Sequence, residues 1–141
     1  MKHYKTLISA AILAFSGVAG LHAADFKVIA NNSVGASDVS ADDLKAVFLG
    51  TKTSLGDGSH VTPVLEKGGP AHEAFLSKCV GKTDSALTNY YRALVFTGKG
   101  SMPKLVASDA EAAEYVAKTK GAIAYVSPAA ATPGVKTLEL K

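Results

Sequence analysis

The sequence predicts an α/β domain in which helices pack on a small mixed sheet. Short apolar runs that are typical of strands alternate with segments whose apolar residues recur at helical spacing. Of the 141 residues, 48% are hydrophobic and 19% are charged. This composition excludes a disordered chain, and this length excludes a multidomain enzyme. We therefore expect one domain, over residues 24–141.

Residues 1–23 have the three parts of a secretory signal peptide. Lys2 and Lys5 form a positive start, an apolar run extends from Leu7 to Phe15, and Leu21-His22-Ala23 is a suitable cleavage site. The stretch is shorter than the ~20 apolar residues that a bilayer span requires. The sequence thus predicts a periplasmic or secreted protein with no stable membrane anchor after cleavage.

The charge pattern excludes one class of partner. The whole chain has 15 Lys and Arg against 12 Asp and Glu, and two of the lysines belong to the predicted leader. The mature chain is therefore close to neutral, without the basic surface that nucleic acid requires. We expect no nucleic acid as a partner.

The first predicted elements are a strand and a short helix. Phe26–Ala30 is a β-type run, and Ser40 with Asp43 resembles a capping box at the start of a helix. The apolar residues of that helix recur at i, i+3 and i+4, and they are Leu44, Val47 and Phe48. A second strand is expected over Val61–Leu65, where Pro63 indicates a sheet edge or a bulge.

The second predicted helix opens at Gly68-Gly69-Pro70, since proline suits the first helical position. Its apolar stripe contains Cys79, the single cysteine of the chain, which we interpret as a buried structural thiol. A third helix begins with Thr83 or Asp84 as its cap. The apolar face of this helix is expected to contain Leu87, Tyr90, Tyr91, Leu94 and Val95.

The last predicted elements are a fourth helix and two strands. Ser108 and Glu111 form a capping box at the start of the helix. Ala122–Val126 is an apolar run typical of a buried strand, and Val135–Leu140 is a last short strand. Strands and helices therefore alternate to the end of the chain.

Residues for catalysis or metal binding are largely missing. After residue 23 the histidines are His60 and His72, and neither has a second His or Cys at metal-ligand spacing. The chain also lacks a G-x-S-x-G elbow, a P-loop and a haem-attachment motif. We expect no enzyme activity, no metal site and no cofactor.

One segment has the composition of an anion site. A glycine-rich turn at a helix start presents free backbone N–H groups and the positive end of the helix dipole. The candidate anion-binding residues are Lys67, Gly68, Gly69, Ala71 and His72. The alternative is that the two glycines only shape a turn from strand to helix. The motif alone favours this alternative, because short glycine motifs are not specific.

Several segments together resemble the phosphate-binding periplasmic proteins of ABC uptake systems. Asp43–Thr53 is similar to that family's "L-x-x-I-F-L-G-K-x-x-x-W" segment, and Gly121–Val126 is similar to its "P-G-A-I-G-Y-V" segment. Gly68–His72 lies where the family has its "R-x-D-G-S-G-T" anion loop, and Phe96–Gly100 resembles a glycine loop between these segments. The resemblance extends from Phe26 to Leu140.

This resemblance implies a type II periplasmic-binding-protein-like fold. Members have two lobes that close on the ligand, and this chain is long enough for one. The resemblance implies an exported solute-binding-like domain that binds phosphate or another small oxyanion weakly. A second copy, or another periplasmic or membrane subunit, would supply the missing lobe. The alternative function is a periplasmic interaction module that keeps only the fold and binds no ligand.

The anion loop departs from the family pattern. Glu66 occupies the position of the family's arginine, with Lys67 as the other candidate for that position. The Ser-Gly-Thr of the family is replaced by Gly69-Pro70-Ala71, so two hydroxyl groups and one N–H are lost. These departures are the reason to expect weak binding.

Overall fold

A computed structural model describes residues 26–141. The predicted signal peptide, residues 1–23, lies outside this range, as do the first two residues of the predicted domain. Within the described residues, no helix is both long and apolar enough to cross a bilayer.

Residues 26–141 form a six-stranded mixed sheet. The strands are β1 (Lys27–Ala30), β2 (Asp38–Val39), β3 (Thr62–Glu66), β4 (Lys104–Val106), β5 (Ala122–Val126) and β6 (Lys136–Leu140). Their order across the sheet is β2-β6-β1-β5-β3-β4. β5, β3 and β4 run parallel, and so do β2 and β6, whereas β1 is antiparallel to both of its neighbours. The predicted mixed sheet is confirmed.

Helices cover both faces of this sheet. They are α1 (Ala41–Phe48), α2 (Pro70–Phe75), α3 (Asp84–Phe96) and α4 (Asp109–Lys118), and a π-helical turn (Leu76–Val80) continues α2. α1, α2 and α3 pack on one face, and α4 packs on the other. β5 is buried on both faces, because Ile123 and Tyr125 face α1 and α2 while its other residues face α4.

Side-chain caps fix where three of the helices begin. The hydroxyl oxygens of Ser40, Thr83 and Ser108 each accept the backbone N–H three residues further along the chain. Such a bond satisfies one of the N–H groups that a helix start leaves without an acceptor. The three predicted starts are confirmed, and Thr83 rather than Asp84 is the cap of α3.

The structure differs from the sequence prediction at four places. β2 and β4 were not predicted, because two and three residues are too few to show an alternating pattern. Val95 was placed on the apolar face of α3 but is about half exposed. Pro63 lies in an interior strand rather than at an edge. The N–H of Thr62 points toward β5 and donates to the carbonyl oxygen of Gly121. The backbone nitrogen of Pro63 therefore points toward β4, and the pairing of β3 with β4 begins only at Val64.

The environment of Cys79 agrees with a structural thiol. Its side chain is buried between α1 and the π-helical turn, and its Sγ donates to the carbonyl oxygen of Ala41 at 3.4 Å. Burial raises the pKa of Cys79 to about 11. The thiol is therefore protonated and a poor nucleophile at neutral pH.

Candidate functional site

The predicted anion loop connects β3 to α2 at the carboxyl end of β3. Lys67 and Gly68 are exposed and, with His72, line an open groove of about 610 Å³ between α2, the π-helical turn and the start of α3. Gly69 is the residue before α2 and has φ = 101°, a conformation that favours glycine. Ala71 is buried beneath the turn. Three of the five candidate residues therefore line one groove, and the other two shape its edge.

The start of α2 presents backbone donors. No side chain caps this helix, and Pro70 at its first position has no N–H. The N–H of Glu73 donates to the carbonyl oxygen of Gly69 at 3.0 Å. The N–H groups of Ala71 and His72 precede that bond, and the first N–H groups of a helix have no acceptor within it. These two N–H groups are therefore hydrogen-bond donors without an acceptor inside the helix.

His72 is part of a buried hydrogen-bond chain. The backbone N–H of Glu66 donates to the Tyr125 hydroxyl at 3.0 Å, and that hydroxyl lies 2.5 Å from Nδ1 of His72. On the other side of the ring, Nε2 of His72 lies 2.8 Å from the carboxylate of Asp84 at the start of α3. The chain therefore joins β3, β5, α2 and α3.

The pattern of donors and acceptors assigns the tautomer of His72. The Tyr125 oxygen already accepts one hydrogen, so its own O–H donates to Nδ1 of His72. Burial raises the pKa of Tyr125 above its usual range, which keeps this hydroxyl protonated. Nε2 then carries the ring hydrogen and donates to Asp84. Both ring nitrogens of His72 are occupied, so its ring has no donor left for a ligand.

Aromatic rings pack around this chain and hold it in place. The ring of Tyr125 stacks on Phe75 with centroids 4.0 Å apart and an interplanar angle of 12°. Phe48 and Phe26 contact the same ring at 5.7 Å and 6.4 Å. This packing orients the hydroxyl of Tyr125, because a ring enclosed on several sides has one accessible rotamer.

Glu66 does not face the groove. Its side chain is 2% exposed and lies with Val64 on the α4 face, whereas Leu65 between them faces α1 and α2. There it shares a hydrogen bond with Asp109, the first residue of α4. Its other oxygen, Oε1, has no partner within the described residues. The carboxyl group that occupies the family's arginine position in the sequence thus points away from the anion loop.

The proximity of two carboxyl groups determines their ionisation. Burial, together with the hydrogen bond and the charge of Asp109, raises the pKa of Glu66 to about 8. Partial burial raises the pKa of Asp109, but hydrogen bonds from Glu66 and Ser127 outweigh this effect and lower it below the ordinary value. At neutral pH Glu66 is therefore protonated and donates to ionised Asp109.

The remaining charges near the groove are mixed. Lys67 and Lys82 line it together with Glu73 and Asp84. Within the part of the chain that the structure describes, no group of three or more His, Cys, Asp or Glu residues is placed to hold a metal ion. The groove therefore has the donors for a small anion, next to two carboxylates that oppose one.

Sequence reasoning missed the residues that support the loop. Tyr125 was assigned to a buried strand, and Asp84 was considered only as a cap. The contact between His72 and Tyr125 joins residues 53 positions apart, so no local pattern shows it. A buried tyrosine needs a hydrogen-bond partner, and this requirement was the one signal in the sequence that Tyr125 contacts another polar group.

Three solved structures have this fold. One, described as a phosphate ABC transporter substrate-binding protein from Clostridium perfringens with bound phosphate, has a TM-score of 0.63 and 16% identity, over 82% of this chain and 44% of its own. An ABC-type phosphate transport receptor from Vibrio cholerae has a TM-score of 0.61 and 14% identity, over 82% of this chain and 46% of the receptor. PstS from Borrelia burgdorferi has a TM-score of 0.62 and 11% identity, over 83% of this chain and 47% of PstS.

The fold is that of one lobe of a type II periplasmic binding protein. The chain spans less than half the length of each of these structures. No protein-family model and no curated protein matches the sequence. At this level of identity, the comparison confirms the fold that the resemblance implied. None of the three descriptions names an enzyme.

Replacing Tyr125 with Phe tests the buried chain. Tyr125→Phe leaves the Glu66 N–H and the His72 Nδ1 without their partner, at a cost of about 1–3 kcal/mol in the free energy of unfolding. Tyr115→Phe is the matched control, because Tyr115 is half-buried and its hydroxyl has no hydrogen-bond partner within residues 26–141. Urea unfolding measures both variants. An equal loss in the two would contradict the importance of the hydroxyl.

The protonation of Glu66 makes stability depend on pH. Its pKa rises from 4.5 to about 8 on folding, so the folded protein retains a proton that the unfolded chain releases between these values. The contribution of Glu66 to the free energy of unfolding therefore falls as pH rises through this window, by up to about 1.4 kcal/mol per pH unit.

Glu66→Gln has no such proton to lose, so its free energy of unfolding should vary less with pH over the same window. Chemical denaturation of both proteins across pH 4.5 to 8 measures the difference. Glu139→Gln, on the exposed side of β6, is the control and should keep the wild-type slope. A Glu66→Gln slope equal to that of wild type would show that Glu66 ionises normally.

Proposed function

We propose that this chain is an exported solute-binding-like domain that binds phosphate or another small oxyanion weakly, at the loop that opens α2. The observation that carries the proposal is the uncapped start of α2. The N–H groups of Ala71 and His72 belong to the first turn of this helix, and Lys67 lines the groove at the same loop. Backbone N–H groups at a helix start are a common way to bind an oxyanion.

The fold comparison supports the choice of ligand class. The Clostridium perfringens protein was solved with bound phosphate, and the Vibrio cholerae protein is a phosphate transport receptor. The fold of this chain corresponds to less than half of the length of each of these two proteins. The binding of phosphate, and the place of the site at α2, remain proposals for this chain.

The same geometry explains why the proposed binding is weak. An arginine fork would bind an oxyanion with two parallel hydrogen bonds, but this loop offers only the single ammonium group of Lys67. His72 uses both ring nitrogens inside the protein, so it contributes only its backbone N–H. Glu73 and Asp84 line the groove and repel an anion. The missing lobe would have to come from a second copy or from another periplasmic or membrane subunit.

The second candidate function is an interaction module that keeps the fold without a ligand. Two carboxylates in the groove favour this alternative, and so does an exposed apolar side chain, Phe96, elsewhere on the domain. The two candidates predict different responses to phosphate. A ligand that binds only the folded state stabilises it, whereas a module without a ligand is unaffected.

Thermal unfolding with phosphate, sulfate or chloride at matched ionic strength tests the proposal. Phosphate at about 100 times its dissociation constant should raise the free energy of unfolding by ~2.7 kcal/mol. No shift with any anion would contradict the proposal and favour the interaction module.

Substitution of Gly68 tests where the anion binds. A Cβ added at Gly68 meets no atom within 4 Å, so a side chain fits there without a clash. Gly68→Asp should abolish the phosphate effect, because its carboxylate lies beside the proposed donors. Gly68→Asn has the same shape without the charge and should retain most of the effect. Equal responses in the two variants would show that phosphate binds elsewhere. Ala71 is less suitable, because a charge at this buried position would disrupt folding.

A further inference from the structure

The large apolar side chains exposed to solvent in residues 26–141 are concentrated near one end of α3. Phe96 is 92% exposed, Val95 is 52% exposed, and Met102 is 40% exposed. α3 begins at the anion groove with Asp84, so its other end lies about 18 Å from the groove. These exposed apolar side chains therefore lie away from the anion loop.

Basic residues accompany these apolar side chains. Residues 85–108 contain Arg92, Lys99 and Lys104 and not one Asp or Glu, although residues 24–141 together are nearly neutral. Lys104 lies over the ring of Tyr115, with its Nζ 5.5 Å from the centroid, and is therefore directed toward α4. Arg92 and Lys99 are exposed and remain beside the apolar residues.

The geometry of α3 brings these groups to one face. Val95 and Phe96 follow Arg92 by three and four residues, so each lies about one helical turn from Arg92. The opposite face is fixed to α1, because the hydroxyls of Tyr90 and Tyr91 donate to the carbonyl oxygens at its end. α3 therefore cannot rotate to bury Phe96.

The chain turns back at the end of α3 and passes beside Leu94. Lys99 donates its N–H to the carbonyl oxygen of Leu94, and Gly98 donates to Val95. Leu94, Met102 and Pro103 line a groove of about 280 Å³ between this loop and α1. We name Arg92, Val95, Phe96, Lys99 and Met102 the α3-end surface. It combines a projecting aromatic ring with two cations, and two of its residues, Lys99 and Met102, also line the groove.

We propose that the α3-end surface binds an acidic, amphipathic helix of a partner protein. Apolar side chains of that helix would contact Phe96 and enter the groove, and its carboxylates would pair with Arg92 and Lys99. Amphipathic helices commonly bind apolar grooves in this way. Complementary charge increases both the specificity and the rate of such an association.

The observations favour this partner over a second copy or a membrane. In a symmetric dimer the surface would face itself, and Arg92 and Lys99 would meet like charges. The groove is concave, and the side chain of a protein partner can fill it, whereas the plane of a bilayer cannot. Lys52 also lines the groove, but it is paired with Asp43, so it adds no free charge.

The experiment uses a fluorescein-labelled synthetic helix of about 15 residues. Leucines occupy one face of the peptide and glutamates occupy the rest. Fluorescence anisotropy should show saturable binding to the wild-type protein. Phe96→Ser should weaken binding about tenfold or more, as expected for a central aromatic contact. Lys120→Glu, which changes an exposed basic residue outside the surface, should leave binding unchanged.

A charge exchange provides the decisive control. The double variant Arg92→Glu with Lys99→Glu should lose the glutamate peptide and gain a version with lysines in place of the glutamates. All the substituted residues are exposed, so thermal unfolding should show that each variant is folded. Failure of the wild-type protein to bind the glutamate peptide would overturn the proposal, and so would equal binding by Phe96→Ser.

Two further measurements test the other possible occupants of the α3-end surface, which are a second copy of the chain and a membrane. Sedimentation equilibrium that shows a dimer abolished by Phe96→Ser would assign the surface to a second copy. Flotation with vesicles of phosphatidylglycerol and phosphatidylethanolamine, lost in the same variant, would assign it to a membrane. Either result would overturn the proposed protein partner. None of these results depends on whether phosphate binds at α2.

Discussion

The hydroxyl of Tyr125 is the interaction on which the loop end of this domain depends. It accepts the N–H of Glu66 at the end of β3 and donates to His72 at the start of α2. His72 then reaches Asp84 at the start of α3. One side chain on a strand buried from both faces therefore sets the positions of three other elements. Because a buried polar group without a partner is costly, the loss of one of these contacts destabilises the others.

This arrangement separates structural residues from those that remain free for a ligand. His72 lies beside the glycine turn, but its ring is part of the support of the turn. Glu66 and Lys67 are the two candidates for the position of the family's arginine, and the alternation of β3 turns the Glu66 carboxyl toward Asp109 on the other face. The turn itself offers backbone donors and Lys67. In the proposed anion site, the support of the turn is present, whereas the arginine and the two hydroxyl groups of the family pattern are absent.

Much of the fold was predictable from the sequence because its local signals are strong. Ser40 and Ser108 cap helices as expected, and the apolar run at Ala122–Val126 is a fully buried strand. β2 and β4 were missed because they form only by pairing with longer strands. Phe96 is nearly fully exposed although aromatic residues are usually buried. It is the last residue of α3 and lies outside the face of the helix that packs on α1, and only this position explains its exposure. The site was half predictable: the turn is local, whereas its support joins residues far apart in sequence.

The most direct test of this account is a ¹H–¹⁵N NMR titration of the domain with phosphate that observes backbone amides and the His72 ring together. We expect shifts of the Gly69, Ala71 and His72 backbone amides. We also expect the His72 ring nitrogens to keep one tautomer throughout, with Nδ1 as acceptor and Nε2 as donor. A change at the ring nitrogens would show that His72 contacts the anion directly. Unchanged amides at the turn would show that the start of α2 does not bind phosphate.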